Sequence, residues 1–362
     1  MSVIADNWSL QNIAEMMVNG LDDEITHYVD VDFQNNSFSY KDVSHSAITV
    51  ETFFDFITDI ILRNQIVVDS NFSSSWKSKD SLLSKPFEAG LIREFSFLDE
   101  PDRLKEPRDE FLKRLCVTEG ITQAHIENTV GWQNHRQTPH PFLSQILWGG
   151  AGMLARSLVF EKGYTPHPIR KKLFLDSGFA LPANTAVNTL TTFINEKRAS
   201  LQTVNTDSSE LFSLQVNLPP IPLKVIREAN SVDDLITVAM QMRDEFSELR
   251  GWLGAYQNAL SDGTYRDEKK FENIIKSVSL YIDSFMGKVD SNAPTFTAGI
   301  GVLKVSIKGR PINALQNQFG VRSMMNKLVL ERSGDAELRK FLGFFGHRNS
   351  TIGLQVIEHF TK

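Results

Sequence analysis

Between Leu235 and Leu260 the apolar positions Leu235, Ala239, Met242, Phe246, Leu249, Leu253, Tyr256 and Leu260 recur at alternating spacings of four and three. That is a heptad seam along one helix. After the polar turn Ser261-Asp262-Gly263-Thr264 the spacing resumes at Phe271, Ile275, Val278, Ile282 and Phe285, so the pattern predicts the facing arm of an antiparallel helical hairpin. Each arm of about 25 residues would be roughly 38 Å long. Ser231 and Asp234 supply a Ser-x-x-Asp start of the capping-box kind. Arg243, Asp244, Glu248, Lys269, Lys270 and Asn273 fall on the outward side, while Trp252 and Ile274 widen the apolar surface and call for a third element over part of it.

The remaining pattern is also mostly helical. Trp8 to Val18 reads as an amphipathic helix that offers Trp8, Ile13, Met16 and Met17 to one face, and the mixed stretch up to Ser46 has room for strands. Val50 to Leu62, with Thr49 as its expected N-cap, carries Phe53, Phe54, Phe56, Ile57, Ile60 and Ile61, too apolar for a surface helix and therefore central to a core. Gln65 to Asp69 is a short buried strand. Helices are predicted from Ser81 to about Asn134 with a break or first turn at Pro107, over 142–160, over Thr185 to Leu201, near Ala314 to Leu330, and over Asp335 to Phe345, with a strand at Gly299 to Ile307. The expectation is a mainly α, α-rich α+β protein with a long hairpin and a small β component. Residues 1–204 would form an acidic helical domain with a few strands, 205–222 a connector stiffened by Leu218-Pro219-Pro220-Ile221-Pro222, and 223–362 a hairpin domain with a basic end.

Composition narrows the class without naming a chemistry. The 362 residues are 41% hydrophobic and 23% charged, ordinary values for a globular protein, and no uninterrupted apolar run is long enough to span a bilayer. The start Met1-Ser2-Val3-Ile4-Ala5-Asp6 lacks the basic and apolar regions of a cleaved signal, so a cytoplasmic location and no membrane contact are expected. Cys116 stands alone, on a predicted helix among apolar neighbours, and is expected to be a buried small hydrophobe. The net charge of −6 conceals a polarity: residues 1–100 hold 6 Lys and Arg against 17 Asp and Glu, while residues 301–362 hold 10 against 4. Such a chain favours contacts with a protein partner or a second copy of itself, and its basic end suits a polyanion.

Four patterns touch on chemistry. Gly150-Ala151-Gly152-Met153-Leu154-Ala155 has the letters of a GxGxxA dinucleotide turn, with Asp176 placed 24 residues beyond Gly152 to meet a ribose. Ser144 and Gln145 interrupt the strand that such a turn needs, and a helix with glycines at a close contact explains the same letters. Thr138 to Pro141 and Thr165 to Pro168 are two copies of Thr-Pro-His-Pro around that segment; if the segment folds back, His140 and His167 approach one another beside Arg136 and Arg170, a set suited to phosphate or carboxylate. Asp69 ends the run Ile66-Val67-Val68, as the first acid does in metal-dependent nucleases of the PIN type, although capping of the next turn is its commoner use. Lys304, Lys308, Arg310 and Arg322, continued by Lys327, Arg332, Arg339, Lys340 and Arg348 with Phe319 and Phe341 interleaved, could meet phosphates and bases of a nucleic acid.

GxSxG, HExxH and the GxxxxGK[ST] phosphate loop are all missing, and the histidines and acids at 125, 127, 135 and 140 match no zinc spacing. No metal or cofactor is called for. The sequence therefore points to a non-enzymatic adaptor or regulatory subunit working through protein contacts, with nucleic acid as a further partner. The competing expectation is an enzyme on a phosphate-bearing substrate, nucleotide-binding or nuclease-like, centred on Arg136, His140, His167, Arg170 and Asp176.

Overall fold

The computed structural model describes residues 2–32, 37–73, 83–97, 101–115, 141–176, 221–247, 250–251, 295–300, 303–308 and 336–361. Helices dominate, around a small parallel sheet. In chain order the sheet strands are β1 (Ser2–Ala5), β4 (Gln65–Asp69), β5 (Ile92–Phe95) and β6 (Gly163–Thr165), and their spatial order is β5-β4-β1-β6. Every neighbouring pair is parallel, with Val3 opposite Ile66 on one side and Gly163 on the other. The chain thus starts in the middle, moves outward twice, and then crosses back to lay β6 on the free edge of β1.

Side-chain alternation along these short strands feeds two cores. Val3, Ala5, Ile66 and Val68 join a cluster with α1 (Asn7–Asn19), α2 (His45–Leu62), α8 (Ile221–Glu228), α9 (Val232–Glu245), the helical residues 336–344 and α10 (Thr351–Thr361). Ile4 and Val67 point the other way, toward α5 (Pro101–Leu115), α6 (Pro141–Val159) and α7 (Pro168–Asp176). Burial on both faces explains why these strands are plain apolar runs rather than alternating ones. The alternation of parallel strands and helices, which the sequence analysis did not expect, is the organising feature of the described residues.

α2 lies at the centre, as its composition predicts, with Phe53, Phe54, Ile57, Ile60 and Ile61 at most 1% exposed. It starts five residues earlier than expected, because the Ser44 hydroxyl accepts from Ala47 N and caps it there; Thr49 lies one turn inside. β2 (Ile25–Asp32) and β3 (Ser37–Ser44) form an antiparallel hairpin between α1 and α2. Short helices α3 (Ser70–Ser73) and α4 (Ser84–Glu88) lie between β4 and β5, so the run of helices expected from Ser81 onward is interrupted by a strand. Pro107 sits inside α5, which continues through it. The strand expected at Gly299 to Ile307 is a pair, β7 (Thr295–Ile300) with β8 (Leu303–Lys308), antiparallel with Ile300 opposite Leu303.

The first part of the predicted first arm lies in α9, capped by Ser231, whose hydroxyl accepts from Asp234 N at 3.3 Å, while Leu249, Leu253, Tyr256 and Leu260 lie outside the described residues. The Asp234 carboxylate accepts from Asn230 N, one residue before the position a capping box would use. Leu235, Ala239, Met242 and Phe246 are buried, and the helix packs on α2 and α8. Arg243 does not face outward. Its guanidinium donates to the carbonyls of Ile60, Arg63 and Asn64, and Arg250 donates to that of Ile61, so two cations satisfy the carbonyls left open at the end of α2. The second arm, from Phe271 to Phe285, lies outside the described residues, as do the helices expected at Thr185 to Leu201 and Ala314 to Leu330, the connector up to residue 220, and Cys116.

Among the described residues no helix is long and apolar enough to cross a membrane.

Candidate functional site

The connections leaving β1 diverge, one toward β4 and the returning one toward β6, and such a switch in direction opens a crevice at the carboxyl ends of the strands. Asp6 follows β1 directly, Asp69 ends β4, and His167 lies two residues beyond β6. Three separate strands thereby deliver polar side chains to one edge of the sheet.

Asp6 is the hub. Its Oδ1 accepts from Trp8 N at 3.0 Å, which starts α1, and from Arg170 Nη1 at 2.6 Å; its Oδ2 accepts from the Tyr164 hydroxyl at 2.5 Å and from His167 N at 3.2 Å. The residue is completely buried. Burial by itself would raise its pKa, but the Arg170 guanidinium and the Tyr164 hydroxyl outweigh it and hold the carboxyl below its ordinary range. Burial and the Asp6 charge together push the Tyr164 phenol well up, so it stays a neutral donor.

Asp69 also faces an arginine, through an ion pair and without the hydrogen bonds that hold both oxygens of Asp6. Its Oδ1 accepts from the backbone and side-chain amides of Asn71, the turn cap that the sequence suggests, and its Oδ2 lies 3.0 Å from Arg156 Nη2 of α6. Arg156 also lies over the Phe97 ring, 4.9 Å from its centroid.

Supporting groups fix the geometry further. The Trp8 indole stacks on the His167 imidazole with centroids 4.0 Å apart and planes 6° apart, and the Arg170 guanidinium stands over the same indole. His167 shares a 3.1 Å hydrogen bond with the Asn12 amide. Thr165 donates to Asp59 Oδ2 at 2.6 Å, and Asp59 pairs with Arg63 at the end of α2. Gly149 is required where it is: a Cβ there would stand 2.8 Å from Arg170 Cζ, so this turn of α6 has no room for a side chain while Arg170 reaches Asp6.

In front of these groups lies a cleft of about 730 Å³, lined along α1 by Asn7, Trp8, Gln11 and Val18 and along α6 by Trp148, Gly149, Gly152 and Met153, with Arg156, Arg170 and Phe72 contributing. Both arginines reach it. Phe72 and Val18 are 52% and 76% exposed at its wall, and Asn7 Oδ1 is buried there without a hydrogen-bond partner.

The residues expected to form a site are only partly brought together. His167 and Arg170 meet, around Asp6. His167 is not the titratable group expected: burial, the largest effect, and the Arg170 charge push its pKa down to about 3, and it is neutral at physiological pH. Arg136 and His140 lie outside the described residues, and Asp176 ends α7 with its side chain outside them. Gly150 and Gly152 lie in the middle of a continuous helix and not at a strand-to-helix turn, so the dinucleotide arrangement is not formed. Lys304 and Lys308 fall on β8 with their side chains outside the described residues, and Arg310 and Arg322 are outside them altogether.

Asp6, Arg156, Trp8 and Asn12 were missed. Asp6 ends Val3-Ile4-Ala5 much as Asp69 ends Ile66-Val67-Val68, and that likeness was the available signal. The strand-end acids do not form a nuclease metal centre, since each faces a guanidinium. Among the described residues, the side chains close enough to share an ion are Asp22, Glu24 and His45, none of which lines the cleft.

No protein-family model, curated protein or solved structure matches the chain.

Proposed function

We propose that the cleft at the carboxyl edge of the sheet binds a phosphate-bearing ligand. The observation that carries this reading is the presence of two arginines, Arg156 and Arg170, in one cleft, each fixed at its inner side by a buried strand-end carboxylate. Anchored guanidinium groups lose little entropy when an anion arrives, and their planar donors match phosphate oxygens in pairs. Trp8 meets the Arg170 guanidinium with its ring, and His167, hydrogen-bonded to Asn12, backs that ring. His167, neutral and stacked, serves as a support and not as a proton carrier.

An adaptor role rests on the long hairpin, whose second arm lies outside the described residues; the cleft rests on a described geometry and is the stronger ground. Calorimetric titration with ribose 5-phosphate tests the reading. Binding to the native chain, weakened about tenfold in Arg156→Lys, is expected, because lysine keeps the charge beside Asp69 but loses the fork. Equal affinity in both proteins, or none in either, would refute it.

A further inference from the structure

Resting on that reading, we infer that the ligand carries a planar ring and is a nucleoside phosphate, either free or as one unit of a nucleic acid strand. Three independent features of the cleft ask for more than a phosphate. The first is aromatic surface: Phe72 lines the cleft and is more than half exposed on a four-residue helix that directly follows Asp69, beside Trp8 and Trp148, whose rings already carry His167, Arg170 and Arg108. A ring on such a wall stacks without regard to sequence.

The second is the unsatisfied acceptor. Asn7 lines the wall with its Oδ1 enclosed and without a donor; rotation of the amide toward the cleft would offer that acceptor to a sugar hydroxyl or a base N–H, neither of which a phosphate dianion has. The third is room in a particular place. Nothing lies within 4 Å of the position that a Cβ on Gly152 would occupy, so one turn of α6 stays open beside the aromatic wall while Gly149, on the same helix, is closed by Arg170. An inorganic phosphate or a sugar phosphate leaves that space empty. Asp6 and Asp69 balance the two arginines and Glu15 adds an exposed carboxylate to the α1 wall, so the cleft has no surplus of positive charge for a long polyphosphate chain, and a single phosphate is held by the forked donors of the arginines rather than by net charge.

The test is a calorimetric series on the full chain with inorganic phosphate, ribose 5-phosphate, uridine, uridine monophosphate, adenosine monophosphate and a hexanucleotide, repeated on Phe72→Ala. Phe72 is exposed enough that its removal leaves the fold intact, which thermal melting checks. The nucleoside monophosphates are expected to bind about ten to a hundred times more tightly than ribose 5-phosphate, and Phe72→Ala is expected to erase most of that ratio while leaving ribose 5-phosphate unchanged. A hexanucleotide tighter than the monophosphates identifies a strand as the source, and the reverse identifies the free nucleotide; both support the inference. Monophosphates no tighter than ribose 5-phosphate would overturn it and leave the phosphate reading standing. Uridine as tight as its monophosphate would retain the ring but remove the phosphate reading, and with it the nucleoside phosphate.

Discussion

Gly149→Ala and Gly152→Ala, two identical changes three residues apart on one helix, should have opposite effects. In a helix interior alanine is favoured over glycine by roughly 1 kcal/mol, and Gly152 has open space before it, so Gly152→Ala should stabilise the protein by about 0.5–1 kcal/mol. At Gly149 the new methyl would stand 2.8 Å from Arg170 Cζ, and Arg170, 7% exposed, is tied to Asp6 at 2.6 Å. Displacing the guanidinium leaves a buried carboxylate without its cation, a loss of about 3–5 kcal/mol that the helix gain only partly offsets. Urea unfolding followed by circular dichroism at neutral pH should place Gly149→Ala about 2–4 kcal/mol below the native chain. Equal stabilisation by both substitutions would show that Arg170 does not occupy that space, and the built cleft would fall with it.

Acid should weaken the fold early. His167 is held neutral down to about pH 3 in the native state but accepts a proton near 6.5 when unfolded, so the stability that its burial permits is complete above 6.5 and declines as pH falls from there toward 3; His167→Gln should flatten that slope in denaturation series at pH 7.5, 6 and 5. Glu51, beside Lys171 and His359, has its pKa lowered from 4.5 to about 2 against the penalty of burial, so its contribution is present above 4.5 and lost between 4.5 and 2; Glu51→Gln should shift that lower limb alone. Phe246→Ala should cost about 3–5 kcal/mol by urea unfolding, because the ring is fully buried at the junction of α9 with the core. Arg243→Ala should cost about 1–3 kcal/mol in the same assay, since three carbonyls at the end of α2 lose a charged donor; no change would mean that water replaces it without penalty.

Long elements were legible where one composition spoke for a whole segment. α2 is apolar enough to require a central position and has it, and Gln65–Asp69 is the strand its β-branched run predicts. The sheet was not legible as a sheet, because its strands are three to five residues long and the central pair, β1 and β4, is buried on both faces. β1 merges by composition into the helix that follows it, Gly163–Thr165 is too short to show any period, and β5 carries Arg93 and Glu94 at an edge, which mimics a helical surface. Of the seam at Leu235 to Leu260, the part up to Phe246 is buried and packs on α2, since a heptad states only that a helix needs an apolar neighbour and not which one; the facing arm lies outside the described residues.

At the site, Arg170 and His167 were found because proline marks the loop before α7. Asp6 and Arg156 were not, because their meaning depends on a parallel register that joins residues more than 150 positions apart in one case and nearly 90 in the other. The likeness of the two strand ends, an acid after an apolar run, is the signal that a reading of β1 as a strand would have released.

The most direct test fills the cleft without touching its charges. Gly152→Leu projects a side chain into the open space on α6, leaves both arginine–carboxylate pairs in place, and should retain native stability by thermal melting. Calorimetric titration with a nucleoside monophosphate should give binding to the native chain and at least a tenfold loss in this variant. Undiminished affinity in the filled protein would place the ligand elsewhere and contradict the account.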